Sequence, residues 1–85
     1  MYVISHIKDD GKREFIYSDS YTGGYPGISD DIEGSGFVSY NSAIEYINTI
    51  DKLNLWKYLG GITKKDVQIE LAVVSYTFTK VKDYL

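Results

Sequence analysis

The chain has 85 residues, no cysteine and a net charge of −3, and 44% of its residues are hydrophobic. This composition is sufficient for one packed core and argues against disorder, while the lack of cysteine excludes disulfides and thiolate zinc sites. No apolar run approaches the roughly 18 residues that a membrane-spanning helix needs, and the first residues do not resemble a signal peptide. We expect one domain, residues 1–85, in the cytoplasm and without membrane contact.

The chain begins with a predicted β-hairpin. Residues Tyr2 to Lys8 alternate between two faces, as a strand does. The segment 9–12 contains Gly11 where a turn favours a positive φ, and the returning strand runs from Arg13 to Ser18.

The segment from Asp19 to Gly36 is predicted to be a long irregular loop, with a short strand inside it as an alternative. It holds five of the eight glycines and the only proline, and it contains no lysine or arginine. Long loops in small domains often carry function. The acidity of the chain is concentrated in this loop, which contains Asp19, Asp30, Asp31 and Glu33.

A helix follows the loop and organises the predicted fold. Ser39 is a suitable N-cap, and Phe37 and Val38 before it are placed to pack back on the helix as a hydrophobic staple. One face of a 3.6-residue period is then apolar; it is formed by Ala43, Ile44, Ile47 and Ile50.

Residues 52–59 are ambiguous between a helical extension and a second short helix, and Gly60-Gly61 ends that element. A long strand is predicted from Val67 to Val81, with a bulge or bend at Val73-Val74, where the apolar phase shifts. The predicted class is α+β: a small antiparallel sheet of three to four strands, with one main helix and a possible short second helix on one face.

The chain shows no catalytic signature. The single histidine, His6, lies in a predicted strand, and Asp30, Asp31 and Glu33 do not follow the spacing of a calcium-binding loop. The Gly-rich segment 23–27 lacks the lysine and the following helix that a phosphate-binding loop requires. We therefore expect no enzymatic activity, no metal and no cofactor.

Two kinds of aromatic surface are considered. A strand face for stacking single-stranded bases would use Tyr2, Phe15, Tyr17, Tyr76 and Phe78, but few basic residues accompany these rings, so direct nucleic-acid binding is not expected. A protein-binding patch is favoured instead, because tyrosine is enriched in contact surfaces. The residues assigned to this acidic, Tyr-rich patch are Tyr17, Asp19, Tyr21, Tyr25, Asp30, Asp31 and Glu33.

The order of elements resembles a loose class of small phage- and prophage-encoded accessory proteins, in which a hairpin precedes the pattern F-x-S-x-x-x-A-x-x-Y/F-I and a closing strand. The matching residues here are Phe37, Ser39, Ala43, Tyr46 and Ile47, followed by Val67, Ile69 and Leu71. The resemblance implies accessory work, often inhibition of a host or defence protein by stoichiometric binding, in the host cytoplasm.

We expect a non-enzymatic protein that inhibits a larger protein with a basic surface. It would do so by occluding a functional surface of that protein, for example a surface that binds nucleic acid. The alternative is a binding protein that sequesters a small molecule or nucleotide between loop and sheet; a single-strand nucleic-acid module is a third reading. The sequence leaves open whether the chain forms a homo-oligomer.

Overall fold

The structure is a computed structural model that describes residues 1–73 and 77–83. Five antiparallel strands form one sheet in the order β3-β2-β1-β4-β5, and one α-helix accompanies it. The α+β class is confirmed, and the predicted count of three to four strands is too low by at least one. The bounds are β1 Tyr2–Ile7, β2 Arg13–Asp19, β3 Tyr25–Ser29, α1 Tyr40–Lys52, β4 Gln68–Ala72 and β5 Phe78–Asp83.

The first hairpin is confirmed. Strands β1 and β2 pair with Ile4 opposite Ile16, so the two isoleucines lie on the same face of the sheet. Gly11 in the connecting turn has a φ of +83°, a conformation that glycine adopts without steric cost.

The predicted irregular loop contains regular secondary structure. Strand β3 lies inside it and pairs with β2 at the edge of the sheet, so the alternative of a short internal strand is confirmed. Pro26 belongs to this strand. Proline is tolerated in an edge strand, because no neighbouring strand on the outer side needs a hydrogen bond from its missing N–H.

The predicted long strand is wrong. Residues 68–72 and 78–83 form two strands that pair with each other, Glu70 lying opposite Lys80. The phase shift at Val73-Val74 therefore marks a change of strand and not a bend within one, although Val74 itself lies outside the described residues. A register shift does occur in this pair, but it lies opposite Ile69 and Glu70.

The predicted helix is confirmed, with one correction at its start. The hydroxyl of Ser39 accepts a hydrogen bond from the Ser42 backbone N–H at 3.0 Å. Phe37 packs against Tyr46, their ring centroids 5.5 Å apart, but the side chain of Val38 is 94% exposed. Neighbouring residues in an extended segment point in opposite directions, so the staple has only one of its two predicted members.

Residues 55–58 form a separate short 3-10 helix and do not extend α1. The break falls at Asn54, which has a φ of +54°. Leu55 and Trp56 of this short helix are buried, so it contributes to the core rather than merely connecting elements.

The main core lies between the sheet and the helical elements. Ile4, Ile16 and Ile69 of the sheet pack there against the buried residues of α1. A smaller cluster on the other face contains Val3, Phe15 and Ala72, with Ile32 and Phe78 packed against it. The segment after β3 therefore partly covers the face that α1 leaves open.

Candidate functional site

One end of the sheet is acidic because the fold joins two turns there. The Nζ of Lys8, at the end of β1, lies 3.0 Å from a carboxylate oxygen of Asp30, which follows β3. The pairing of β3 with β2 brings the β1–β2 turn, which contains Asp9 and Asp10, beside the acidic segment that begins at Asp30, and the ion pair lies at this contact. We call this surface the acidic end; its carboxylates are those of Asp9, Asp10, Asp30, Asp31 and Glu33.

The acidic end is held in a defined shape by local hydrogen bonds. The Asp31 carboxylate accepts from the Glu33 N–H at 2.9 Å, and the Asp10 carboxylate accepts from the Lys12 N–H at 2.9 Å. The neighbouring carboxylates, with the hydrogen bond from Lys8 to Asp30 as the largest contribution, raise the pKa of Lys8. Both turns are closed by hydrogen bonds, and their carboxylates are exposed to solvent.

The other end of β3 is a tight turn that presents an exposed tyrosine. The Asp19 carboxylate accepts a hydrogen bond from the Tyr21 N–H at 2.9 Å, and the Asp19 carbonyl accepts one from the Gly24 N–H at 2.7 Å. Tyr46 of α1 anchors the same turn, since its hydroxyl donates to the Gly24 carbonyl at 2.8 Å. Burial raises the pKa of Tyr46. The side chain of Tyr21, at the tip, is 99% exposed.

A row of four side chains runs from this turn to the 3-10 helix. Asp19 and Tyr25 are cross-strand neighbours, and the rings of Tyr25 and Tyr58 lie 5.5 Å apart. The Nζ of Lys57 lies 5.4 Å from the centre of the Tyr58 ring, within the range of a cation–π interaction. We call these four residues the tyrosine row. It has an acid at one end, a base at the other and two half-exposed rings between them.

The fold therefore divides the patch predicted from the sequence. Asp19, Tyr21 and Tyr25 lie at one end of β3, whereas Asp30, Asp31 and Glu33 follow its other end; four residue steps along a strand span roughly 13 Å. Tyr17 lies between the two groups, half-buried, with its ring over Gly27.

Sequence reasoning missed three residues that the fold adds to these surfaces. Asp9 and Asp10 join the acidic end, and Tyr58 joins the tyrosine row. The first two were already visible as the turn of a predicted hairpin, but only the pairing of β3 with β2 shows that this turn meets Asp30. No sequence pattern indicates the contact between Tyr25 and Tyr58.

A buried ion pair lies on the sheet face that α1 leaves open. Two guanidinium nitrogens of Arg13 donate to the two carboxylate oxygens of Glu70 at 2.8 and 2.9 Å, and the Glu70 side chain is only 2% exposed. Burial favours the neutral acid, but the hydrogen bonds from Arg13, helped by one from Gln68, outweigh it and lower the pKa of Glu70. The same pair raises the pKa of Arg13. Arg13 also lies over the ring of Phe78 at 4.3 Å.

The single histidine is also paired. Its Nδ1 lies 2.8 Å from a carboxylate oxygen of Glu14, its cross-strand neighbour. Within residues 1–73 and 77–83, no group of acidic and histidine side chains has the arrangement of a metal site. The same part of the chain contains no pocket and no helix long and apolar enough to cross a membrane.

Of the described rings considered for nucleic-acid binding, Phe15, Tyr17 and Phe78 lie on the sheet face that α1 leaves open, and Tyr2 lies on the helix side. Tyr2 packs against the main core on the helix side. Phe15 is buried on the other face and stacks on Phe78 at 5.8 Å. Tyr76, the remaining strand residue considered for stacking, lies outside the described residues. Phe15 is buried and Tyr17 is half-buried, so these rings expose little of their surface for stacking on successive bases.

No protein-family model matches this chain, and no curated protein or solved structure is significantly similar to it. The proposals below therefore rest on the sequence and on the geometry just described.

Proposed function

We propose that this chain is a non-enzymatic binding protein that occludes a functional surface of a larger, basic protein. The contact is the acidic end, and the inhibited surface is one that the partner uses for another ligand, of which nucleic acid is the obvious anionic example. The observation that carries the proposal is the contact between two acidic turns at one end of the sheet, which strand pairing sets and the Lys8–Asp30 ion pair marks.

The arrangement of charge supports this proposal. Asp9, Asp10, Asp31 and Glu33 are exposed, and exposed like charges on a rigid surface attract and orient an oppositely charged partner during diffusion. Folding does not neutralise this end. Among the described residues, Asp30 pairs with Lys8, while Asp10 and Asp31 accept hydrogen bonds from backbone N–H groups. The cost of ordering a flexible loop on binding is also small here, because the turns are already closed by hydrogen bonds.

The alternatives have less support. Sequestration of a small molecule between loop and sheet requires a cavity there; among the described residues, Ile28 packs instead against the main core and Ile32 against the smaller cluster. A single-strand nucleic-acid module requires exposed rings with basic neighbours; among the described strand rings, Phe15 is buried against Phe78 and Tyr17 is half-buried.

The test begins with capture from a nuclease-treated bacterial lysate on the tagged chain. The decisive comparison is between variants: Asp31→Lys with Glu33→Lys reverses two charges at the acidic end, and Glu45→Lys reverses one exposed charge on α1. We expect a protein captured stoichiometrically by the wild type and by Glu45→Lys to be lost or strongly reduced with the double variant.

Occlusion is then measured with the captured protein itself, by asking whether the wild-type chain displaces that protein's own ligand at a one-to-one ratio. Equal capture by the wild type and the double variant, with both folded by circular dichroism, contradicts the proposed contact. Capture without displacement contradicts occlusion.

A further inference from the structure

We propose that the tyrosine row is a self-association surface, through which two copies of this chain pair about a two-fold axis. This inference concerns the end of β3 away from the acidic end, and it does not depend on the proposed function.

The tyrosine row has an acidic side chain at one end, two aromatic rings in the middle and a basic side chain at the other end. Asp19 neighbours Tyr25, Tyr25 contacts Tyr58, and Tyr58 lies under Lys57. A two-fold interface brings the same surface of each copy together in opposite directions, so it requires a self-complementary patch. When this row is turned end for end, the acid of each copy faces the base of the other and the rings meet in the middle.

Tyr25 and Tyr58 are each about half exposed, and the neighbouring Tyr21 is 99% exposed on a turn fixed by the Asp19 carboxylate and by Tyr46. Tyrosine gives a large, rigid contact area with few rotatable bonds. Aromatic pairs also contribute beyond the area that they bury. Rings that are already ordered lose little conformational entropy when they pack against a second copy.

Two copies that meet at the tyrosine row contact each other through side chains and not through backbone hydrogen bonds at the β3 edge. Strand β3 is five residues long and contains Pro26, which has no N–H to donate to a neighbouring strand. Short edges that contain proline resist extension of the sheet by another chain. The patch is also small, so we expect a weak dimer that forms at high micromolar concentration.

The experiment is sedimentation velocity on the purified chain over a concentration series up to about 1 mM, the upper range of weak association. The wild type is expected to shift from monomer to dimer. Lys57→Glu places like charges at both ends of the interface and should raise the dissociation constant by roughly tenfold or more. Lys12→Glu makes the same charge change in the β1–β2 turn and should leave the constant unchanged.

A mixing test separates this pairing from non-specific attraction. Asp19→Lys and Lys57→Glu should each fail to self-associate, whereas their equimolar mixture should form a heterodimer because both opposite-charge pairs are then restored. Asp19 also caps the turn, so Asp19→Asn, which retains a capping oxygen, serves as a second variant and should weaken the wild-type dimer.

A wild type that stays monomeric throughout the series overturns the inference. So does an equal effect of Lys12→Glu and Lys57→Glu, or a mixture that remains monomeric while both of its components are folded.

Discussion

Ser5 is a buried polar residue on the sheet face that α1 leaves open. Its hydroxyl is fully buried and has no hydrogen-bond partner within the described residues. A buried hydroxyl without a partner costs about 1–3 kcal/mol.

We therefore expect Ser5→Ala to leave the free energy of unfolding unchanged or to raise it by up to about 1 kcal/mol, as measured by urea denaturation. A loss of stability, together with a higher pH for acid unfolding, would instead mean that the hydroxyl donates to Glu70.

Glu70 is a buried acid whose charge contributes to the stability of the fold. Its pKa is lower in the folded chain than in the unfolded chain. The stabilisation it gives is therefore complete above the unfolded-chain pKa and is lost as the pH falls through the lower folded value. Unfolding should become easier as the pH decreases below about 4.

Glu70→Gln tests this directly. The variant should lose about 2 kcal/mol at pH 7, less than a fully buried pair would lose because Arg13 is one-third exposed, and its stability should depend less on pH below about 4. Some acid dependence should remain, because hydrogen bonds from Thr63 also lower the pKa of Asp66. An unchanged acid slope, measured by urea denaturation at several pH values, would show that Glu70 is not ionised in the folded chain.

At the scale of elements, Tyr46 connects the helix to the turn that carries Tyr21. Its hydroxyl donates to the Gly24 carbonyl at 2.8 Å, so Tyr46→Phe should cost about 1 kcal/mol. Hydrogen exchange of the β3 amides should also accelerate. Tyr40→Phe is the matched control, because the Tyr40 hydroxyl has no hydrogen bond within the described part of the chain. Equal effects of the two substitutions on stability and exchange would contradict this role.

The elements that sequence reasoning predicted correctly are those with a strong local signal. Ser39 has the chemistry of an N-cap, the apolar spacing after it fits one helical face, and Gly11 fits a hairpin turn. Strand β3 was harder to predict, because Pro26 and Gly27 disfavour a strand in isolation and only its edge position next to β2 makes it stable.

The strands β4 and β5 show the limit of alternation as a signal. In the sequence, a shift of the apolar residues from odd to even positions looks the same in two cases. Either one strand bends there, or the chain reverses direction into a second strand. Only the pairing of Glu70 with Lys80 distinguishes the two cases, and such a pairing is tertiary information.

At the scale of the molecule, the same limit applies to the candidate surfaces. The acidic residues and tyrosines of the segment 19–36 were identified from composition, but composition does not indicate which end of a strand each occupies. The fold separates Asp19 from Asp30 and brings in Asp9, Asp10 and Tyr58. The residues of the predicted patch therefore lie at both ends of β3, in one charged group and one aromatic group.

We propose above all that the acidic end binds a basic partner. The most direct test is the association rate with the captured protein, measured by stopped flow at several salt concentrations. For the wild type and for Glu45→Lys, the rate should decrease as salt increases. For Asp31→Lys with Glu33→Lys, it should be lower by roughly tenfold or more at low salt and nearly independent of salt. Equal rates and equal salt dependence for the three proteins would contradict the claim.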